Sequence, residues 1–210
     1  FNGVGGGAAA LVAVLELGHN EDMWVRIAIV FTMLIGAISF SGSAITVLKL
    51  QELMTTRPVL FPGLRWIMSL TVLASIAASV LVVMTGEWTW AVGLLAIGLL
   101  AGVLLVLPVG GADVPIVISL LNAFTGIAVA ASGIVLSNVL LLVAGTLVGA
   151  SGTILTMAMA AAMGRGVTGI LFGAFKGGST AGSTTVSDRP VRSSTPEDVA
   201  VQLGYAQNVI

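Results

Sequence analysis

No cysteine occurs among the 210 residues, and charged side chains make up only 8% of them. The first absence excludes a disulfide framework, a thiolate nucleophile and any cysteine metal site. A single histidine, His19, is too little for a zinc site, so no metal centre is expected. The scarcity of charge excludes an ordinary soluble domain, in which about a quarter of residues are charged. Net charge is -1, with no basic patch interleaved with aromatics, so nucleic acid is not an expected partner. What fills the chain instead is apolar: 57% hydrophobic residues and a mean hydropathy of +1.12 assign it to a lipid bilayer.

A spanning helix needs about 20 mostly apolar residues. Six windows supply them, at about 2–17, 27–48, 66–84, 88–107, 114–136 and 139–164. The last two come from one run without Lys, Arg, Asp or Glu between Asp113 and Arg165, which Ser137 and Asn138 divide. The expected fold class is therefore all-α, a polytopic transmembrane helix bundle of about six spans. Lys49, Arg57 and Arg65 share one loop, and Arg165 and Lys176 follow the sixth span on the same side, which the positive-inside rule makes cytoplasmic. Trp24, Trp66, Trp88 and Trp90 fall at span ends, where interfacial aromatics belong.

Three sections are expected along the chain: a transmembrane domain over 1–165, a cytosolic linker with a short helix over 166–203, and the start of a truncated soluble domain over 204–210. Between Lys176 and Ser194 the text is rich in Gly, Ser and Thr, too polar to fold alone. Thr195-Pro196-Glu197-Asp198 then reads as a helix start, with Thr195 as cap and Pro196 in the first turn. Phe1 opens a run with no basic n-region, so the chain reads as a fragment at both ends.

Gly3-Val4-Gly5-Gly6-Gly7-Ala8 fits G-x-G-x-x-A, with Glu21 and Asp22 near the place of a ribose-binding acid. That fingerprint needs a strand before it, whereas these glycines lead straight into an apolar helix, so close helix packing is the better account. Gly98/Gly102 and Gly145/Gly149 repeat the small-residue spacing, and His19 reads as a solvated loop side chain. More informative is GGADVPIVISLLNAFTG, residues 110–126. Asp113 precedes Val114-Pro115 and is expected to cap a helix facing the cytoplasm. Asn122 lies nine residues further on, about 13 Å deep at the helical rise, near the middle of the bilayer. An amide there needs partners, and Ser119 and Thr125 are within a turn of it. Asn2 in the first span and Ser39, Ser41, Ser43 and Thr46 in the second offer further polar groups. A hydrated route and plain interhelical hydrogen bonding both explain such a set at this point.

The same GGADVPIVISLLNAFTG stretch strongly resembles the beta subunit of the proton-translocating NAD(P) transhydrogenases. The resemblance runs along the whole chain, through Phe40-Ser41-Gly42-Ser43, Leu136-Ser137-Asn138, Gly149-Ala150-Ser151-Gly152 and Met163-Gly164-Arg165. It implies the membrane domain of an oxidoreductase complex that couples proton translocation to hydride transfer between NAD(H) and NADP(H). Both nucleotides are then held outside this chain, NAD(H) by an alpha subunit and NADP(H) by the soluble domain after the linker. It further implies a multi-pass protein of the plasma (inner) membrane with a cytoplasmic C-terminus, in a homodimer of protomers. By resemblance Asn122 and Ser43 belong to the proton pathway, which Asn2, Ser119 and Thr125 extend, and Asp113 and Arg165 communicate with the NADP(H) domain. Some relatives carry a titratable histidine where this chain has Asn2, so either a partner subunit's helix supplies the titrating group, the favoured reading, or water alone does the work. Two rivals remain: the membrane domain of a small-solute secondary transporter, against which the lack of a clear repeat and of a midplane charge counts, and a passive membrane anchor.

Overall fold

A computed structural model describes residues 1–19, 22–164, 166–172 and 195–206. Eight helices occur among the described residues: α1 (Asn2–Leu17), α2 (Met23–Leu50), α3 (Leu64–Thr85), α4 (Trp88–Val106), α5 (Val114–Val135), α6 (Val139–Ala162), α7 (Val167–Phe172) and α8 (Pro196–Tyr205). The chain is all-helical there, as expected from composition. Five helices, α2 to α6, are long and apolar enough to cross a membrane, while α1 is shorter at 16 residues. The polar linker between 173 and 194 and the chain end from 207 lie outside the described residues, as does Glu21.

Helix ends follow local chemistry. Asp22 starts α2 early, its carboxylate accepting the Trp24 N–H at 2.9 Å. Asn138 does the same for α6 through the Leu141 N–H at 3.2 Å, and this is the break expected in the long uncharged run. Thr195 caps α8 through the Asp198 N–H at 3.3 Å, with Pro196 in the first turn. Asp113 takes the N-cap position of α5 as expected, but its side chain makes no capping hydrogen bond. A 3-10 turn, Gly111–Asp113, precedes α5 and pairs the Asp113 N–H with Gly110 O and the Val114 N–H with Gly111 O. The helix start is served by backbone, and the Asp113 carboxylate does not cap it.

The helices run alternately up and down. Ala13, Leu17, Ile29, Val82, Ala91 and Val135 form one buried cluster where α1 ends, α2 starts and α5 ends. Val106, Val109, Ile116, Val117, Ala160 and Ile170 form the other, which joins α7 to the bundle beyond residue 165. The exterior is greasier than the interior. On α3 the buried stripe is Thr71, Ser75, Ala78 and Val82, while Leu70, Leu73, Ile76 and Val80 point outward. Such inversion follows when the solvent is hydrocarbon, because burying an aliphatic chain gains nothing over lipid.

Tight contact between backbones replaces that missing drive. α5 and α6 meet at Gly126, Gly145, Gly149 and Gly152, and a Cβ at Gly126 would strike the Gly149 backbone. α4 meets α2 at Gly98 and Gly102, where a Cβ on Gly102 would strike Ile38 O and Ser41 Oγ. On α1 the glycines of the G-x-G-x-x-A run serve the same purpose, with Gly3 against Ser43 and Gly6 against Ser39. No room for a pyrophosphate remains beside them, so the described residues do not fit a dinucleotide there.

Gly126→Val is expected to destabilise the α5–α6 pair by about 1–3 kcal/mol or more through overpacking. Gly93, with nothing within 4 Å of a built Cβ, provides the control. Thermal midpoints of the detergent-solubilised protein should fall for Gly126→Val and hold for Gly93→Ala; equal midpoints would contradict the close-packing account.

Candidate functional site

Asn2 opens α1 and sits directly on α5. Its Nδ2 donates to Ile118 O at 3.3 Å, and its carbonyl accepts from Thr125 Oγ1 at 3.0 Å. Ile118 and Thr125 lie four residues before and three after Asn122, on the same helical face. Asn2 therefore brackets Asn122. The Asn122 side chain is half-buried, on the stripe that also carries the exposed Pro115 and Ile118, and its amide has no hydrogen-bond partner among the described residues. An amide offers two donors and an acceptor with two lone pairs. Here none of them is taken up among the described residues.

Beside the bracket lies a closed hydroxyl pair. Ser39 Oγ on α2 is 2.6 Å from Thr125 Oγ1, and Ser39 Oγ also donates to Leu121 O at 3.2 Å. Two protons serve this pair. Either Ser39 donates to Thr125 and Thr125 to Asn2 O, or Thr125 donates to Ser39 and Ser39 to Leu121 O. Both orders end on a backbone carbonyl, which does not pass a proton on. The pair thus clamps α1, α2 and α5 together, and any route for protons must run beside it.

Ser43 is one turn from Ser39 on α2 and faces Gly3, next to Asn2. Its hydroxyl oxygen is buried without a hydrogen bond among the described residues. Ser119 points the other way, donating to Gly152 O on α6 at 3.1 Å. So Asn2, Ser43, Asn122 and Thr125 gather around the start of α1, and Ser119 joins α5 to α6 instead. Asp113 is buried, 3% exposed, at the head of α5, about 13 Å along the helix from Asn122. Arg165 lies outside the described residues.

Two residues were not singled out from sequence. Ser39 was one hydroxyl among several, although its spacing of four from Ser43 places both on one face of α2. Lys49 counted only as a loop charge, yet it is 1% exposed and its Nζ donates to Val106 O, Leu107 O and Val109 O at 3.2, 2.7 and 2.6 Å. Nothing in the local sequence signals partners 57 to 60 residues away.

Long apolar helices locked by glycine, with an uncommitted amide beside a satisfied hydroxyl clamp, define a polytopic helical membrane domain with a polar seam between its helices. Comparison with known proteins narrows the class. The family model for the NAD(P) transhydrogenase beta subunit matches residues 1–210, and the chain belongs to that family. It is similar to NAD(P) transhydrogenase subunit beta of Rhodospirillum rubrum, 35% identical over 222 residues, covering 100% of this chain and 48% of the relative. The subunit from Rhodospirillum rubrum strain ATCC 11170 matches to the same extent. The chain thus spans about half the length of the curated relatives it matches.

A double-mutant cycle checks the clamp. Ser39→Ala and Thr125→Val are each expected to lower stability, with a coupling between them of about 0.5–2 kcal/mol, as for hydrogen bonds between transmembrane helices. Strict additivity in unfolding free energy would show that the two hydroxyls do not interact.

Proposed function

We infer that this chain is the membrane domain of a proton-translocating transhydrogenase, coupling proton movement to hydride transfer between NAD(H) and NADP(H). The observation that carries the reading is the Asn122 amide, expected near mid-bilayer, bracketed by Asn2 and without a hydrogen-bond partner among the described residues. Leaving such a group unsatisfied in hydrocarbon costs several kcal/mol, so water or a partner helix must meet it. Ser43 Oγ, buried and also unpartnered beside Gly3, extends the same polar strip.

Asn122 and Asn2 cannot titrate near neutral pH. Their work is to hold water in line by donating and accepting hydrogen bonds, while an alpha-subunit helix supplies the group that binds the proton. Ser119 and Thr125 keep α5 in register with α6, α1 and α2 alongside that line. Asp113 and Arg165 report the state of the route to an NADP(H)-binding domain at the cytoplasmic face. Both nucleotides bind outside the described residues; the hydride chemistry is theirs. Coupling requires two global states that proton and nucleotide favour differently. The assembly in this reading is a dimer of protomers with alpha subunits in the plasma (inner) membrane, C-terminus cytoplasmic.

Asn122→Leu keeps the side chain's bulk and removes its hydrogen bonding. In vesicles holding the full complex, proton pumping and the coupled hydride transfer should fall together by about tenfold or more, the loss of one ~1.4 kcal/mol interaction per decade. Full rates of both would reduce Asn122 to a packing residue.

A further inference from the structure

Lys49 ends α2 and buries its ammonium against the last turn of α4. An ammonium has three N–H donors, and all three find carbonyls: Val106 O, Leu107 O and Val109 O. Val106 O and Leu107 O lie at the C-terminus of α4, the end where a positive charge is favoured, and Val109 O lies in the turn just beyond it. The same short stretch is stitched to the loop between α2 and α3. Leu107 O also accepts from the Val59 N–H at 3.2 Å, and Gly111 N–H donates to Thr56 O at 2.8 Å. Pro58 packs on Gly110 and Thr56 on Gly111. Asp113 follows immediately, in the 3-10 turn that these bonds hold.

One rigid helix therefore touches both ends of the machinery. At Ser39 α2 grips α5 beside Asn122; ten residues later, about 15 Å along the rod, Lys49 grips the turn that bears Asp113. Lys49 supplies a charged link between the α4–α5 turn and α2 itself. We propose that Lys49 is a positioning residue for coupling: its three-carbonyl clamp fixes the α4–α5 turn to α2, so that a shift of α2 against α5 at Ser39 moves Asp113. Lys49 touches neither proton nor nucleotide, and its effect passes through Asp113. The inference rests on the reading of Asp113 as a reporter to the NADP(H) domain.

The test is a double-mutant cycle in the full membrane complex, reading the hydride-transfer rate driven by an imposed proton gradient together with the amount of assembled complex. Lys49→Met, which keeps the stem and removes the donors, should lower the gradient-driven rate about tenfold without loss of assembled complex, an effect on the scale of one charged hydrogen-bond clamp. In an Asp113→Asn background it should cost less than about twofold, because coupled residues are not additive. Lys49→Arg, which keeps charge and donors, should restore most of the rate. An equal loss in both backgrounds, or no loss on Lys49→Met while Asp113→Asn impairs the rate, overturns the positioning role and leaves the role of Asp113 standing. An unimpaired Asp113→Asn complex overturns the reading of Asp113, and this inference falls with it. Should Lys49→Met not accumulate, Lys49→Gln, with two donors and no charge, takes its place in the cycle under the same criteria.

Discussion

Hydrocarbon satisfies no hydrogen bond, and this constraint arranges the whole bundle. Helices in lipid gain nothing by hiding leucine from one another, so they must approach closely enough for van der Waals contact and for side-chain hydroxyls to reach a neighbour's carbonyl. Glycine permits both. Ser39 bonds across to α5 where Gly6 lets α1 close in; Thr125 reaches Asn2 O beside Gly5; Ser119 donates to the carbonyl of Gly152 itself. Each interhelical hydroxyl bond around α5 stands at a glycine contact. The polar seam and the small-residue seam are one feature.

Within that seam satisfaction is uneven, and the unevenness locates function. Ser39, Thr125 and Ser119 are fully engaged and hold geometry. Asn122 and Ser43 have no hydrogen-bond partner among the described residues, although they sit among neighbours that do. An orphaned polar group at this depth is expensive, so its retention points to a ligand that comes and goes. Between Asp113 and Arg165 the sequence has no Lys, Arg, Asp, Glu or His, so in the proposed function α5 and α6 supply no titrating side chain between those two residues. This division of labour, orientation here and titration elsewhere, suits a chain that works within a larger complex.

Much of the fold was legible because it depends on short-range chemistry. Span positions follow from apolar length, and the starts of α6 and α8 follow from Asn138 and Thr195. The glycine pairs at 98/102 and 145/149 announced helix contacts, though not which helices would meet. What stayed hidden was tertiary. Asp113 sits at the N-cap as its sequence suggests, but the 3-10 turn that satisfies the helix start in place of its side chain has no sequence signature. Lys49 looked like a loop charge because its carbonyl partners belong to a helix two spans on. The site was half legible: depth and residue type picked out Asn122, Asn2 and Ser43, but only the structure separates Thr125 and Ser119, which clamp, from the residues left open.

The central claim is that Asn122 faces water while its hydroxyl neighbours stay dry. These 210 residues have no cysteine of their own to compete with introduced ones. Single cysteines at Asn122, Thr125 and lipid-facing Ile76, placed in the full membrane complex, can be timed against a small, charged thiol reagent that does not enter lipid. The account predicts prompt reaction at position 122 and protection at 125 and 76. Reaction at 122 no faster than at 76 would mean that the amide looks at lipid, and the hydrated route would be contradicted.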